Sequence, residues 1–573
     1  MAEPLLDFGD VGLVRKRVRG WRRHRLEAVK ISDRSVSGEM GSGFRNAGVK
    51  AKRQEWVKSR SQGLKRGRAL RMRTGEGQAE NEVKKELRLK AVNRQQMILR
   101  AVDVEKLIEA DHAARAIWEL VGRLDLSGFK AEIESVEGAA GRPAYDPQLL
   151  ISLWIYAYSE GVSSGREVAR RCEYHPAYQW LTGCEEVNHH SLSDFRVEHQ
   201  AALDELFAQV LGVLSAEGLI GLERVMHDGT KVKALASGNS FRREQTLREH
   251  LEQARGRVRS MGDPRQEEAS GRQAKARERA ARERAERLEQ ALEEMQKLQA
   301  APPGKKPRQE RRVSETDPEA RFMKQPGGGY APSHNLQIST DAAHVLIVGV
   351  SVTQSANDEG QLPPALDEVR RNLGRLPQQV VADAGFTTRE TILEMAERGV
   401  EFIGGTVEAG KRSQPRPGIE AAFRAEAFVY EAEGDLYRCP AGKELLHRSI
   451  QRTRVGVLHH VYQAKTADCR GCVFRKKCCA GTSPRRVFHA QNAPVVEAFR
   501  AKMQTAAARA IYRLRAAVAE FPHAWLKAKI GLRQFRVRGL KKVRCEALWA
   551  CLAYNLAQWV RLRWKVRLAE AQS

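Results

Sequence analysis

No stretch of this sequence is apolar enough to cross a membrane. Its longest apolar run, Leu149 to Tyr158, falls far short of the ~20 residues that a bilayer span needs. The N-terminus carries arginines but no apolar core of the kind a secretory signal has. A cytoplasmic, nucleoid-associated protein is therefore expected. In that compartment the nine cysteines are not a disulfide framework; they read as thiols or metal ligands. Acid is also in short supply. Against 98 Lys and Arg stand only 71 Asp and Glu, a formal charge of +27. Either the surface and a tail are simply basic and solvated, or the partner is a polyanion, with nucleic acid the first candidate.

A chain of 573 residues exceeds a single core, so two to four domains are expected. Residues 1–83 are basic, spotted with Gly and Ser and without sustained periodicity, and more than half the excess charge falls in the first hundred positions. They read as a disordered extension, the alternative being an arm that clings to DNA. From 84 to 220 the pattern is helical. Val104, Leu107, Ile108, Ala114, Ile117, Leu120 and Val121 recur at helical spacing and predict one amphipathic helix. Asp146 and Pro147 predict a capped helix start. Short helices follow near 164–172, 176–182 and 191–199, the last beginning at Ser191 with Arg196 free to face a phosphate. Such a cluster is either a helix-turn-helix DNA reader or a plain helical bundle.

The period then changes. Leu222–Ala234 is extended and interrupted at Asp228-Gly229, and residues 241–300 form a charge-dense helical hairpin broken at Gly262-Asp263-Pro264. A Pro- and Gly-rich linker leads to a β-hairpin, His334–Thr340 and Val345–Thr353. A helix near 360–373, a buried strand ending at Asp383, a helix at 388–398 and a strand at 400–404 complete the series. This order predicts an α/β (α+β) fold: a ribonuclease-H-like mixed sheet with flanking helices. It would occupy residues 221–406 and 495–573, with a cysteine-rich insertion at 407–494.

Two carboxylates, Asp228 and Asp383, stand at expected strand ends with Gly229 and Gly385 behind them. A carboxylate there projects past the sheet edge while glycine lets the backbone turn away. With a third, such a pair can hold two Mg²⁺ ions ~3.5–4 Å apart for in-line phosphodiester displacement; taken singly, each Asp is an ordinary turn former. Further on, Tyr512, Arg515, Glu520 and Lys527 lie at helical spacing, so that Tyr512, Glu520 and Lys527 share a face. Pro522 implies a kink or a late helix start. Glu520 on the metals with Arg515 and Lys527 on phosphates is coherent chemistry; the alternative is a basic surface helix with an incidental Glu.

These blocks resemble those of bacterial insertion-sequence DDE transposases. His227-Asp-Gly-Thr-Lys-Val-Lys-Ala-Leu-Ala-Ser237 resembles the family's first-Asp segment, and Val381-Ala-Asp-Ala-Gly-Phe386 its second. Thr316–Arg321, Asn335–Ile338 and Gln354–Asp358 match intervening blocks, while Gly539–Val543 and Leu552–Leu556 are similar to its C-terminal helix. The match runs from about Lys84 to Trp564. The Tyr-Arg-Glu-Lys helix is similar to that of the subgroup with a large, cysteine-rich insertion before the catalytic Glu. Here four residues rather than three separate Arg515 from Glu520, which bears on the role of Arg515. The resemblance implies catalytic residues Asp228, Asp383, Glu520, Arg515 and Lys527, with the three carboxylates binding Mg²⁺ or Mn²⁺. It also implies double-stranded DNA as partner, both terminal inverted repeats and target, with a homodimer in the DNA complex. Cleavage and strand transfer would be the reaction; a nuclease without transposition and a DNA-binding regulator that no longer cuts are the rivals.

Cys439, Cys469, Cys472 and either Cys478 or Cys479 offer four sulfurs for a structural Zn²⁺ in a zinc-ribbon-like insertion, with short strands at Asp435–Tyr437 and Val455–Tyr462. With only one C-x₂-C pair, a set of reduced cysteines in a small sheet is the alternative.

Overall fold

Caps, more than apolar periodicity, decide where the N-terminal helices begin. The computed structural model describes residues 94–95, 97, 101–135, 143–261, 272–300, 311–405, 419–452, 458–479, 481–490 and 493–572. The expected extension at 1–83 and the hairpin break at 262–264 lie outside the described residues. Where one helix is expected across 104–121, a 3₁₀ turn at Val104–Leu107 precedes a separate helix, Ala113–Val121 (α1). Asp103 caps the turn, and His112 Nδ1 accepts the Ala114 N–H at 3.1 Å, restarting the chain as a helix. Asp146 and Pro147 do open Pro147–Ser159 (α2), the Asp146 carboxylate accepting the Gln148 N–H at 2.8 Å. Gly165–Tyr174 (α3), Pro176–Thr182 (α4), His189–Glu198 (α5) and Gln200–Ala216 (α6) follow.

Two expectations fail at α5. Asn188, not Ser191, caps it. Arg196 faces no solvent phosphate: it is buried, lies 5.0 Å over the Trp154 ring and donates to the Ser163 carbonyl. Its charge is accommodated near Tyr158 and Glu546, groups from distant parts of the chain.

Arg224–Lys233 (β1) is the hub of the main sheet. It leads through the helical hairpin Glu244–Met261 (α7) and Arg272–Ala300 (α8). These pack antiparallel, Gln299 at one end reaching Glu244 at the other at 2.7 Å. Leu247, Leu251, Leu288 and Met295 form their seam. Arg321–Lys324 (β2) and Tyr330–Asp341 (β3) come next, then Leu346–Thr353 (β4), as the hairpin pattern predicts. Leu362–Leu373 (α9) crosses to Gln379–Ala382 (β5), and Arg389–Glu397 (α10) to Glu401–Gly404 (β6). β3 is antiparallel to β1, and its far edge is shared by β2 and β4; β5 and β6 run parallel to β1. The strand order is β4–β3–β1–β5–β6. Each parallel step needs a helical crossover, which α9 and α10 supply.

Between β6 and the C-terminal helices stands a second sheet of five antiparallel strands. These are Val429–Glu431 (β7), Leu436–Arg438 (β8), Glu444–Arg452 (β9), Leu458–Ala464 (β10) and Arg486–Ala490 (β11), in sequential order. Ala493–Gln504 (α11), Ala506–Val518 (α12), Glu520–Ala528 (α13) and Leu540–Trp559 (α14) follow, and the chain stays helical through Val560–Trp564 and Lys565–Gln572.

Helix α14 is buried almost all round, the mark of a helix enclosed by protein. It belongs to one continuous apolar core that runs from α1 through α2, α6 and the sheet. Asn555 explains why a polar residue is tolerated there. The β3–β4 register slips between Ser339 and Thr340, and Asn555 meets the Ile347 backbone at that irregularity. Its Oδ1 accepts the Ile347 N–H at 2.9 Å and its Nδ2 donates to the Ile347 carbonyl at 2.8 Å. Asn555→Ala strands two buried backbone groups and is expected to cost roughly 2–5 kcal/mol. Urea unfolding measures this; a loss below about 0.5 kcal/mol would show that the pairing is dispensable.

Candidate active site

β1 is not interrupted at Asp228-Gly229 as expected: its pairing with β3 continues through Asp228↔Ile338 and Gly229↔Gln337. What ends there is the other edge. The parallel pairing with β5 stops at His227↔Ala382, so the next residues on the two neighbouring strands are Asp228 and Asp383. Adjacent strands lie ~4.8 Å apart, and the two carboxylates therefore emerge side by side. Asp383 Oδ1 accepts the Gly385 N–H at 2.7 Å and Asp228 Oδ1 the Gly229 N–H at 2.9 Å. Burial pushes the Asp228 carboxyl up to about 6; Arg515 opposes this, and Asp383 reinforces it.

The expected single helix carrying Tyr512 to Lys527 is two. Helix α12 ends at Val518, Ala519 is the joint and α13 begins at Glu520, with Pro522 in its first turn. Pro522 has no N–H to continue the ladder, so the chain breaks just ahead of it. The break aims both helices at β1. Arg515 Nη1 lies 3.3 Å from Asp228 Oδ2 and Nη2 lies 3.8 Å from Glu520 Oε1, so one guanidinium spans the two carboxylates. Asp228 is mostly shielded while the Glu520 side chain is 59% exposed. Tyr512 closes against Gly405 beside Ala384 and under Arg515. Lys527 donates to Thr230, two residues along the same face of β1 as Asp228. Burial lowers the Lys527 pKa, and nearby Arg533 and Lys231 add to the fall. His523 donates from Nε2 to the Asp228 carbonyl at 3.2 Å; burial pushes its pKa down to about 3, so it is neutral.

A further carboxylate here went unassigned in the sequence. Asp358, in the loop before α9, accepts from Lys231 at 3.0 Å, Asn335 at 2.9 Å and Gln337 at 3.1 Å. The available signal was a polar row, Asn335, Gln337 and Ser339, alternating inside a buried strand. Buried polar side chains at period two require partners.

Cys439, Cys469, Cys472, Cys478 and Cys479 all line one small cavity of about 30 Å³ at the base of the second sheet. Cys439 Sγ accepts the Lys443 N–H at 3.3 Å and Cys469 Sγ the Arg485 N–H at 3.5 Å. Among the described residues no three His, Cys, Asp or Glu side chains are drawn together as metal ligands, in this cavity or at Asp228.

Two family models match the chain. Residues 438–560 match a Transposase DDE domain, and residues 102–198 match a Transposase domain (DUF772). This is an enzyme of the DDE transposase type. The first match contains Arg515, Glu520, Lys527 and the five clustered cysteines; Asp228 and Asp383 lie outside both. No curated protein matches. Among solved structures, the cryo-EM structure of the piggyBac transposase synaptic complex with hairpin DNA aligns over 79% of this chain and 81% of that one. At 10% identity and a TM-score of 0.20 that likeness carries no argument. No helix among the described residues is long and apolar enough to cross a membrane.

Proposed function

We propose that the chain binds the terminal inverted repeats of an insertion sequence, cuts the DNA there and joins the freed 3′-OH to target DNA. The observation that carries this reading is the register: β1 and β5 release Asp228 and Asp383 side by side, and Arg515 links Asp228 to Glu520. The main sheet, with its antiparallel β4–β3–β1 and parallel β1–β5–β6, is then ribonuclease-H-like. Its domain would comprise 221–406 and 495–573, with 407–494 inserted, a helical DNA-binding region at 84–220 and a basic extension at 1–83.

The donors suit a hard divalent ion. Asp228 and Asp383 offer only oxygen, and the raised Asp228 pKa marks a negative charge that the protein itself undercompensates, Arg515 standing where positive charge is needed. Held by Asp228, Asp383 and Glu520, Mg²⁺ or Mn²⁺ would supply charge stabilisation for an in-line phosphodiester displacement. Glu520, exposed on its helix end, completes the carboxylate set once Arg515 turns from it to a DNA phosphate. Lys527, seated against Thr230 on the Asp228 face of β1, holds positive charge for the flanking backbone.

The test uses purified full-length protein, Mg²⁺ and a plasmid carrying the DNA that flanks this gene. Breaks with 3′-OH ends at the borders of an inverted repeat, followed by joined products, are expected. Cutting without regard to the repeats would instead make this a nuclease that does not transpose.

A further inference from the structure

Asp358 lies against both strand ends that carry the aspartates. Its Oδ1 is 2.6 Å from where a Cβ would stand on Gly229, and its Cβ is 3.7 Å from the corresponding point on Gly385. Gly229 is thus required by close approach, since a side chain there would displace Gln337 and Asp358, whereas at Gly385 Asp358 is in ordinary contact and the tight neighbour is Asp383 Oδ1 at 2.9 Å. The same carboxylate takes hydrogen bonds from Lys231, Asn335 and Gln337. A carboxylate only accepts, so Gln337 presents its Nε2 to Asp358 and its Oε1 to His227 Nε2, at 2.8 Å. That oxygen only accepts in turn, which fixes His227 as the Nε2–H tautomer, with Nδ1 accepting from Ser339 Oγ at 2.9 Å. His227 immediately precedes Asp228, and its ring is seated edge-on against Phe386, just beyond Asp383. One buried chain of hydrogen bonds therefore joins Asp358 to the residue before Asp228, and a ring contact carries it on to Phe386, three residues after Asp383.

We propose that Asp358 is a positioning residue that sets the divalent-ion affinity of Asp228 and Asp383. It does so in two ways: it locks the facing strand ends through Gln337 and His227, and it neutralises Lys231, whose free charge would repel a cation. The inference rests on the carboxylate reading above but concerns a residue outside the triad.

The two halves of the Lys231–Asp358 pair give predictions of opposite sign. Bound Mn²⁺ is measured directly on the full-length protein by electron paramagnetic resonance, alongside the Mg²⁺ concentration for half-maximal cutting. Asp358→Asn is expected to weaken Mn²⁺ binding about tenfold or more, since it removes one negative charge and frees a positive one. At saturating metal most of its cutting rate should return. Lys231→Met removes only the positive charge, so Mn²⁺ binding should tighten several-fold. A purely structural pair would make both variants bind worse, and that result, or unchanged binding in Asp358→Asn, would overturn the proposal. If Asp358→Asn does not fold, Lys231→Met alone decides: weaker or equal binding rejects it. Asp228→Asn serves as the reference. Mn²⁺ binding that survives Asp228→Asn would remove the carboxylate reading itself, whereas binding lost there but unmoved by Asp358→Asn would remove only this inference.

Discussion

Asp228→Asn, Asp383→Asn and Glu520→Gln should each reduce Mg²⁺-dependent DNA cutting by at least about 10³-fold while leaving binding to the element's ends within a few-fold of wild type. Each substitution keeps the side chain's shape and removes the charge. The strand register survives, because Asp228 and Asp383 hold their places through backbone pairing at His227↔Ala382 and not through the carboxylates. Since the three would act on one pair of ions, a double variant is expected to cut little worse than a single one. Asp228→Asn has a second consequence: Arg515 loses its partner at 3.3 Å and remains near Glu520 alone. Single-turnover cleavage on end-labelled DNA measures the effect. A variant that cuts at near wild-type rate would remove that residue from the site.

The second large effect concerns the cysteines. We expect protein prepared without chelator to carry about one Zn²⁺ per chain. Replacing both Cys469 and Cys472 by Ser should abolish it, since the C-x₂-C pair supplies half of a tetrahedral set. A cavity of about 30 Å³ is large enough for an ion, and the N–H groups of Lys443 and Arg485 already point at two of its sulfurs. The apolar core of the second sheet is slight: Phe428, Leu445, Tyr462, Ala464 and Val487. So few residues cannot hold five strands unaided, and metal loss should open 429–490 to proteolysis while the main core stays protected. Cys478→Ser and Cys479→Ser, compared singly, identify the fourth ligand. Elemental analysis that finds no zinc would end the claim and leave the carboxylate reading untouched.

Local chemistry made much of this fold readable in advance. The Asp146-Pro147 helix start, the β3–β4 hairpin and the strand ending before Asp383 all follow from side-chain period and capping, which act over a few residues. The misreadings arose where distant segments decide. Arg196 looks like a surface charge until Trp154, Tyr158 and Glu546 surround it. The period across 104–121 was genuine, but the caps at Asp103 and His112 cut it in two. Gly229 makes Asp228 look like a strand end, whereas the pairing ends only for its parallel neighbour. Asp358 lies in a loop with no periodicity, and its meaning depends on which strands pass beneath it.

The position of α14 in the chain fixes when this protein can become active during its own synthesis. Asp228 and Asp383 leave the ribosome well before the helix that fills the core behind their sheet, Leu540–Trp559, and Glu520 leaves only shortly before it. Segments made first fold first only where they can bury their apolar faces, and here α2, α6 and β4 must wait for a partner more than a hundred residues downstream. A nascent chain from which α14 has not yet emerged is therefore expected to lack a closed core and to be inert. Any product truncated before α14 should be a target for proteolysis, unable to cut DNA.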